Sequence, residues 1–140
     1  MKLLFTGASG FLGRNIYQLL EKTYVIKTVG LTPQDDYKID IARNIPVLEV
    51  FDIVLHAAGK AHSTPKTEEE KQAFFDVNLQ GTKNLCTALE QSGIPKAFIF
   101  ISTVAVYGCD SGENITEEHP LNGTTPYALS KIKAEKYLQG

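Results

Sequence analysis

The apolar run Lys2-Leu3-Leu4-Phe5-Thr6 passes directly into Gly7, Gly10 and Gly13, three glycines spaced three apart, and then into a helical pattern. Few segments restrict a fold so strongly. An apolar strand needs cover on both faces, the glycines turn it sharply, and the helix that follows must lie back across the sheet. Gly7 permits the tight turn, Gly10 lets a pyrophosphate approach the backbone, and Gly13 lets helix and sheet pack closely, with phosphates at the positive end of the helix. The segment points to a dinucleotide-binding unit, although glycine-rich turns also join strands to helices for steric reasons alone.

The rest of the chain continues the alternation. Leu12, Ile16, Leu19 and Leu20 recur at helical spacing and predict a helix over about 11–22. Tyr24 to Gly30 reads as a second strand, followed by the turn-rich Thr32-Pro33-Gln34-Asp35-Asp36. Ile39 to Ile41 reads as a short extended piece leading to a helical segment before Phe51. Asp52 to Leu55 reads as a buried strand, and Lys60 to Lys66 as a polar loop. One long helix is predicted over Thr67–Ser92, with Phe74, Leu85 and Leu89 on its core face and Gly93 and Pro95 ending it. Ala97 to Ser102 reads as a strand, Gly108 to Thr125 as a long irregular loop, and Thr125 to Leu138 as a last helix with Pro126 in its first turn. The pattern predicts one α/β domain over 1–140, a Rossmann-like doubly wound, mostly parallel sheet between two helical layers.

Composition removes several classes of function. With 14 basic and 16 acidic residues, the chain has no excess positive charge to draw it to nucleic acid or anionic lipid. Runs such as Lys96-Ala97-Phe98-Ile99-Phe100-Ile101 are too short to cross a bilayer. Cys86 and Cys109 lack metal-ligand spacing, and no metal is expected. The chain opens directly in a strand, and a reducing, cytoplasmic location is expected from that start.

Two constellations carry chemistry. Tyr127 and Lys131 stand four apart on one helical face, and an adjacent ammonium can turn a phenol into a base. Free tyrosine has a pKa of about 10, so this role near neutrality asks neighbouring positive charge for roughly 4 kcal/mol. The same pair is also met as a ring resting on a lysine stem. Ser102 and Thr103 leave a buried strand at its carboxyl end, where open α/β sheets bind ligands, and could either hold a substrate oxygen or satisfy strand-end backbone groups.

Taken together, these residues resemble the extended short-chain dehydrogenases/reductases, NAD-dependent epimerases and dehydratases. Thr6-Gly7-Ala8-Ser9-Gly10-Phe11-Leu12-Gly13 resembles the family's cofactor loop, Asp40-Ile41 its adenine contact, and His56-Ala57-Ala58-Gly59 its loop after the fourth strand. Asn78-Leu79-Gln80-Gly81-Thr82 is similar to its Asn-Val-x-Gly-Thr helix motif, and Pro126-Tyr127-x-x-Ser130-Lys131 to its catalytic helix. The resemblance implies Tyr127 as general acid/base, Thr103 as the hydroxyl holding the reacting sugar oxygen, and Lys131 as the group that binds nicotinamide ribose and assists Tyr127. It further implies cofactor-binding positions at Gly7, Gly10, Phe11, Leu12, Gly13, Asp40, Ile41, Ala57, Ala58, Gly59, Asn78, Tyr127 and Lys131, with Asn78 mainly holding the helix and site geometry. His56 would be structural, and His62 and His119 have no evident ligand partners.

Dehydratases of this family carry an Asp-Glu pair where this chain has Val104-Ala105, so the resemblance lies closest to nucleotide-sugar 4-epimerases. The expected cofactor is NAD and the expected substrate a UDP-sugar, with a homodimer as the expected assembly. Val29-Gly30-Leu31 offers no acidic residue for the adenosine ribose 2′-hydroxyl and no arginine in its place, which leaves NADP open. The sequence stops nine residues after Lys131, where the family continues into a substrate-binding region, so an amino-terminal portion with an exposed sheet edge is expected. A 4-keto-sugar reductase and a non-enzymatic NAD(P)-binding module are the alternatives.

Overall fold

In the computed structural model, which describes residues 1–61 and 63–140, the opening apolar run is the central strand β1 (Lys2–Thr6). Leu3, Leu4 and Phe5 are all buried, as an interior strand covered on both faces requires. β2 (Val25–Gly30), β3 (Tyr37–Lys38), β4 (Ile53–His56) and β5 (Ala97–Phe100) join it in one parallel sheet of order β3-β2-β1-β4-β5. Thr6 ends β1 opposite Val29 on one side and His56 on the other. The order reverses between β1 and β4, and connections leaving toward opposite faces open a crevice at their carboxyl ends.

Helix α1 (Phe11–Leu20) closes one face, setting Ile16, Tyr17 and Leu20 on Leu3, Phe5 and Leu55. Its entry depends on two glycines. Gly7 has φ of +78°, and a Cβ there would stand 2.6 Å from the Ala58 amide nitrogen. A Cβ on Gly13 would stand 2.3 Å from the Ala8 carbonyl oxygen. The opposite face is covered by α3 (Gly81–Ser92), which follows α2 (Glu68–Phe75) in the chain; Leu85, Ala88 and Leu89 pack on Leu4, Val29, Phe51 and Val54. The Thr67 hydroxyl accepts from the Glu70 amide at 3.1 Å, and Glu68, Glu69 and Glu70 complement the positive end of α2. α4 (Pro126–Gln139) is capped in the same way, with Thr125 Oγ1 accepting from the Ala128 amide at 3.1 Å. It packs on α2 and on a single 3-10 turn at Val104–Tyr107. No helix among the described residues is long and apolar enough to cross a membrane.

Three expected elements differ. The third strand lies at Tyr37–Lys38 rather than Ile39–Ile41, because Asp40 turns the chain: its Oδ1 accepts from the Ala42 amide and its carbonyl from that of Asn44. No helix lies between Ile41 and Phe51. Pro46 and Leu48 are buried while Val47 is 91% exposed, so the segment runs extended with the two-residue alternation that a proline permits and a helix does not. The long helix is also not uniform: between α2 and α3, Asp76–Gln80 forms a wider π turn, which places the polar Asn78 in the interior. β5 lies at one edge of the sheet, with Ile99 48% exposed.

Gly13 sets the contact between α1 and its loop, since an added Cβ would stand 2.3 Å from the Ala8 carbonyl oxygen. Gly13→Ala is expected to destabilise the chain by about 1–3 kcal/mol despite the better helix propensity of alanine, lowering the urea midpoint at unchanged m-value.

Candidate active site

The crevice over β1 and β4 has two compartments that share Gly7, Gly10, Ala57 and Gly59. One, of about 300 Å³, is bounded by Gly30, Asp40, Ile41 and Ala58. The other, also about 300 Å³, is bounded by Phe11, Leu12, Ser102, Tyr127 and Lys131. Helix α4 therefore brings its phenol and ammonium to the same cleft as the glycine loop from the other end of the chain. Gly13 sits beneath the loop, Asn78 is 1% exposed within the interior, and Thr103 accepts from the Ala105 amide at 3.2 Å as the cap of the 3-10 turn. None of these three borders either compartment.

Lys131 is held rather than free. It is 3% exposed, its Nζ donates to the Ile101 carbonyl at 2.8 Å, and it lies 4.5 Å from the centre of the Phe100 ring. Burial pulls its pKa down to about 8, while the charge of Glu135 works the other way. Glu135 itself accepts from the Ser102 hydroxyl, tying the end of β5 to α4.

Asn78 joins three segments. Its Oδ1 accepts from the Lys60 amide at 2.8 Å, and its Nδ2 donates to the Lys60 carbonyl at 3.1 Å and to Ser130 Oγ at 2.9 Å. Ser130 Oγ in turn donates to the Tyr127 carbonyl at 2.7 Å, so the π turn positions the helix that carries the phenol. A Cβ on Gly59 would stand 3.1 Å from Asn78 Oδ1 and 3.4 Å from Lys131 Nζ, and the bare backbone there lets both approach.

His56 lies deeper. The Ala58 amide donates to Thr6 Oγ1 at 3.1 Å, and Thr6 Oγ1 stands 2.6 Å from His56 Nδ1. On the other side Thr82 Oγ1 donates to the Asn78 carbonyl at 2.8 Å and stands 2.9 Å from His56 Nε2. Because the Thr82 proton is already committed, its oxygen accepts from Nε2–H, and Nδ1 accepts from Thr6. This tautomer satisfies every member of the chain. Burial, with the Lys131 charge adding to it, pushes the His56 pKa down to about 3, and the ring is neutral.

Sequence reasoning gave no role to Ser130 or Glu135. The signal was present: a serine and a carboxylate on the side of a helix that also carries Ala128, Lys131 and Ile132 need buried partners. No group of three or more His, Cys, Asp or Glu able to hold a metal ion occurs among the described residues. His119 Nδ1 stands 2.9 Å from the Pro120 carbonyl, whereas His62 lies outside the described residues.

The sequence model of the NAD dependent epimerase/dehydratase family matches residues 3–140. The chain belongs to this family. Among its relatives is an N-acetyl-alpha-D-glucosaminyl-diphospho-ditrans,octacis-undecaprenol 4-epimerase of Escherichia coli O157:H7, 34% identical over 98% of this chain and 42% of that protein. A GDP-6-deoxy-D-mannose reductase of Pseudomonas aeruginosa is 32% identical over 96% of this chain and 45% of the reductase. The structure of UDP-glucuronic acid 4-epimerase from Bacillus cereus in complex with NAD superposes with a TM-score of 0.81 at 25% identity, over 99% of this chain and 51% of that one. The chain thus spans about half the length of these family members.

The depressed Lys131 pKa makes stability depend on pH. Because the folded-state value of about 8 lies below the free value of 10.5, the folded chain binds fewer protons than the unfolded chain between these limits. The cost of burying the ammonium is full below pH 8 and is relieved as pH rises through that window. Urea denaturation of the chain and of Lys131→Met across pH 7–11 is expected to show their stability difference moving by roughly 3 kcal/mol in favour of the lysine form.

Proposed function

We propose that the chain is the cofactor-binding and catalytic amino-terminal portion of a nucleotide-sugar 4-epimerase, with NAD as its cofactor and a UDP-sugar as its substrate. The observation that carries this reading is the single cleft shared by Gly7, Gly10, Phe11, Leu12, Tyr127 and Lys131. The loop fits a pyrophosphate, since α1 opens at Gly10 with no side chain capping its first amides, and Gly7 and Gly10 border the cleft there. In this reading Gly7, Gly10, Phe11, Leu12 and Gly13 form or support the phosphate end. Asp40, Ile41, Ala57, Ala58 and Gly59 line the way from adenine to nicotinamide.

NAD+, when bound, supplies the hydride acceptor for the sugar C4. Tyr127 Oη takes the proton of the sugar 4-hydroxyl and later returns one. Thr103 Oγ1 holds the same sugar oxygen. Lys131 Nζ orients the ribose and lends positive charge beside the phenolate, and Asn78 acts through Lys60 and Ser130 to keep Tyr127 in place. Val104 and Ala105 carry no ionisable group beside Thr103, which favours epimerisation over water loss, a reaction that asks for an additional acid and base. The proposal extends to a cytoplasmic, homodimeric enzyme.

The GDP-6-deoxy-D-mannose reductase among the relatives favours a 4-keto-sugar reductase as the second reading. A polypeptide that continues this chain to the relatives' length separates the two. An epimerase interconverts 4-epimers without net change in added cofactor, whereas a reductase consumes reduced cofactor in proportion to product. Tyr127→Phe in that polypeptide is expected to lower kcat by at least about 100-fold and leave NAD+ affinity within about threefold; unchanged turnover would remove Tyr127 from the mechanism.

A further inference from the structure

The turn after β2 brings a carboxylate to a strand end that has none of its own. β2 closes on Val29-Gly30, and Leu31 follows, so the end of the strand has no carboxylate of its own to accept from a ribose hydroxyl. Yet a Cβ built on Gly30 would lie 2.4 Å from Asp35 Oδ2 and 2.9 Å from Asp35 Oδ1. The Asp35 carboxylate occupies the volume in which a side chain at position 30 would begin. It is pinned there, because the Thr32 amide and hydroxyl both donate to Oδ2, at 2.9 and 2.7 Å. Oδ1 has no donor among the described residues.

The place is the right one for a ribose. Gly30 and Thr32 border the compartment that runs to Gly7, Gly10 and Asp40. Asp35 and Asp36 border an adjoining hollow of about 370 Å³ that shares Ser9 and Thr32 with it. That hollow contains two carboxylates and no lysine or arginine. Partial burial works against ionisation of Asp36, but the Thr28 amide and Lys27 outweigh it and hold its carboxyl below the usual range. Lys27 stands 3.1 Å from Asp36 and is committed to it.

We propose that Asp35, admitted by the missing side chain of Gly30, is the residue that selects the cofactor: its Oδ1 accepts from the adenosine ribose hydroxyls, and with Asp36 it repels a 2′-phosphate. The inference rests on the NAD reading above and deepens it. A hydroxyl donating to a carboxylate contributes about tenfold or more to affinity, and a phosphate brought against two carboxylates loses about 100-fold or more. Without Asp35, the chain retains the fold and the phosphate loop but tells the two nucleotides apart less well, with Asp36 alone left to oppose a 2′-phosphate.

Calorimetric titration with NAD+ and with NADP+ tests this on the chain, on Asp35→Asn and on Gly30→Ala, with circular dichroism confirming that each is folded. The chain itself is expected to prefer NAD+ by at least about 100-fold. Asp35→Asn is expected to weaken NAD+ about tenfold and to narrow the preference by tenfold or more. Gly30→Ala should do the same with Asp35 still present, since its methyl group displaces the carboxylate. Equal binding of the two nucleotides by the chain, or a preference that stays the same in a folded variant, overturns the role of Asp35 and leaves the NAD reading standing. Binding of neither nucleotide by the unaltered chain overturns both.

Discussion

The close approach of two backbones at the carboxyl ends of β1 and β4 is the constraint on which the rest of the structure depends. A Cβ at Gly7 would stand 2.6 Å from the Ala58 nitrogen, so these loops can leave the sheet side by side only because residue 7 has no side chain. Thr6, one residue earlier, secures the contact by accepting from the Ala58 amide. From this point the chain after β1 enters α1 and the chain after β4 runs toward the opposite layer, which opens the crevice. The cleft, its glycine floor and the angle at which α1 arrives are consequences of that one approach.

A buried polar network gives the crevice its second wall. Thr6, His56, Thr82, Asn78 and Ser130 form a continuous series of hydrogen bonds from β1 through β4 and the π turn to α4. Every buried side chain named in that series has a partner, which is the condition under which polar groups in a low-dielectric interior specify an arrangement instead of weakening it. The π turn is part of this economy of space: its wider coil directs Asn78 inward between the Lys60 backbone and Ser130. Lys131 is the exception in kind. Its ammonium is nearly enclosed with one carbonyl and one aromatic face for company, a stability cost of the sort that functional sites carry.

Much of the architecture was legible because burial leaves periodic traces. Leu3, Leu4 and Phe5 could only be an interior strand, and Leu12, Ile16 and Leu20 could only face a sheet. The errors fell where local signals were weak or outvoted. A two-residue strand at Tyr37–Lys38 has too little length to show alternation. The stretch from Asn44 to Phe51 hides its extended form behind Pro46 and the apolar residues Ile45, Val47, Leu48, Val50 and Phe51, which show no clean alternation. Nothing in Asp76-Val77-Asn78-Leu79-Gln80 distinguishes a π turn from an ordinary one, because the extra width is stabilised by partners at Lys60 and Ser130, far along the chain.

The sequence by itself determined the alternation of strand and helix, the glycine turn and the pairing of Tyr127 with Lys131 on one helical face, since these follow from spacing within a few residues. Only the tertiary structure decided which distant groups meet. Lys131 received its carbonyl from Ile101, Asn78 its two anchors, and the bare end of β2 a carboxylate from Asp35. Contacts of this kind depend on how layers of a sheet close over one another. Hydrogen bonds and enclosed charges take their strength from that enclosure, which no short stretch of sequence contains.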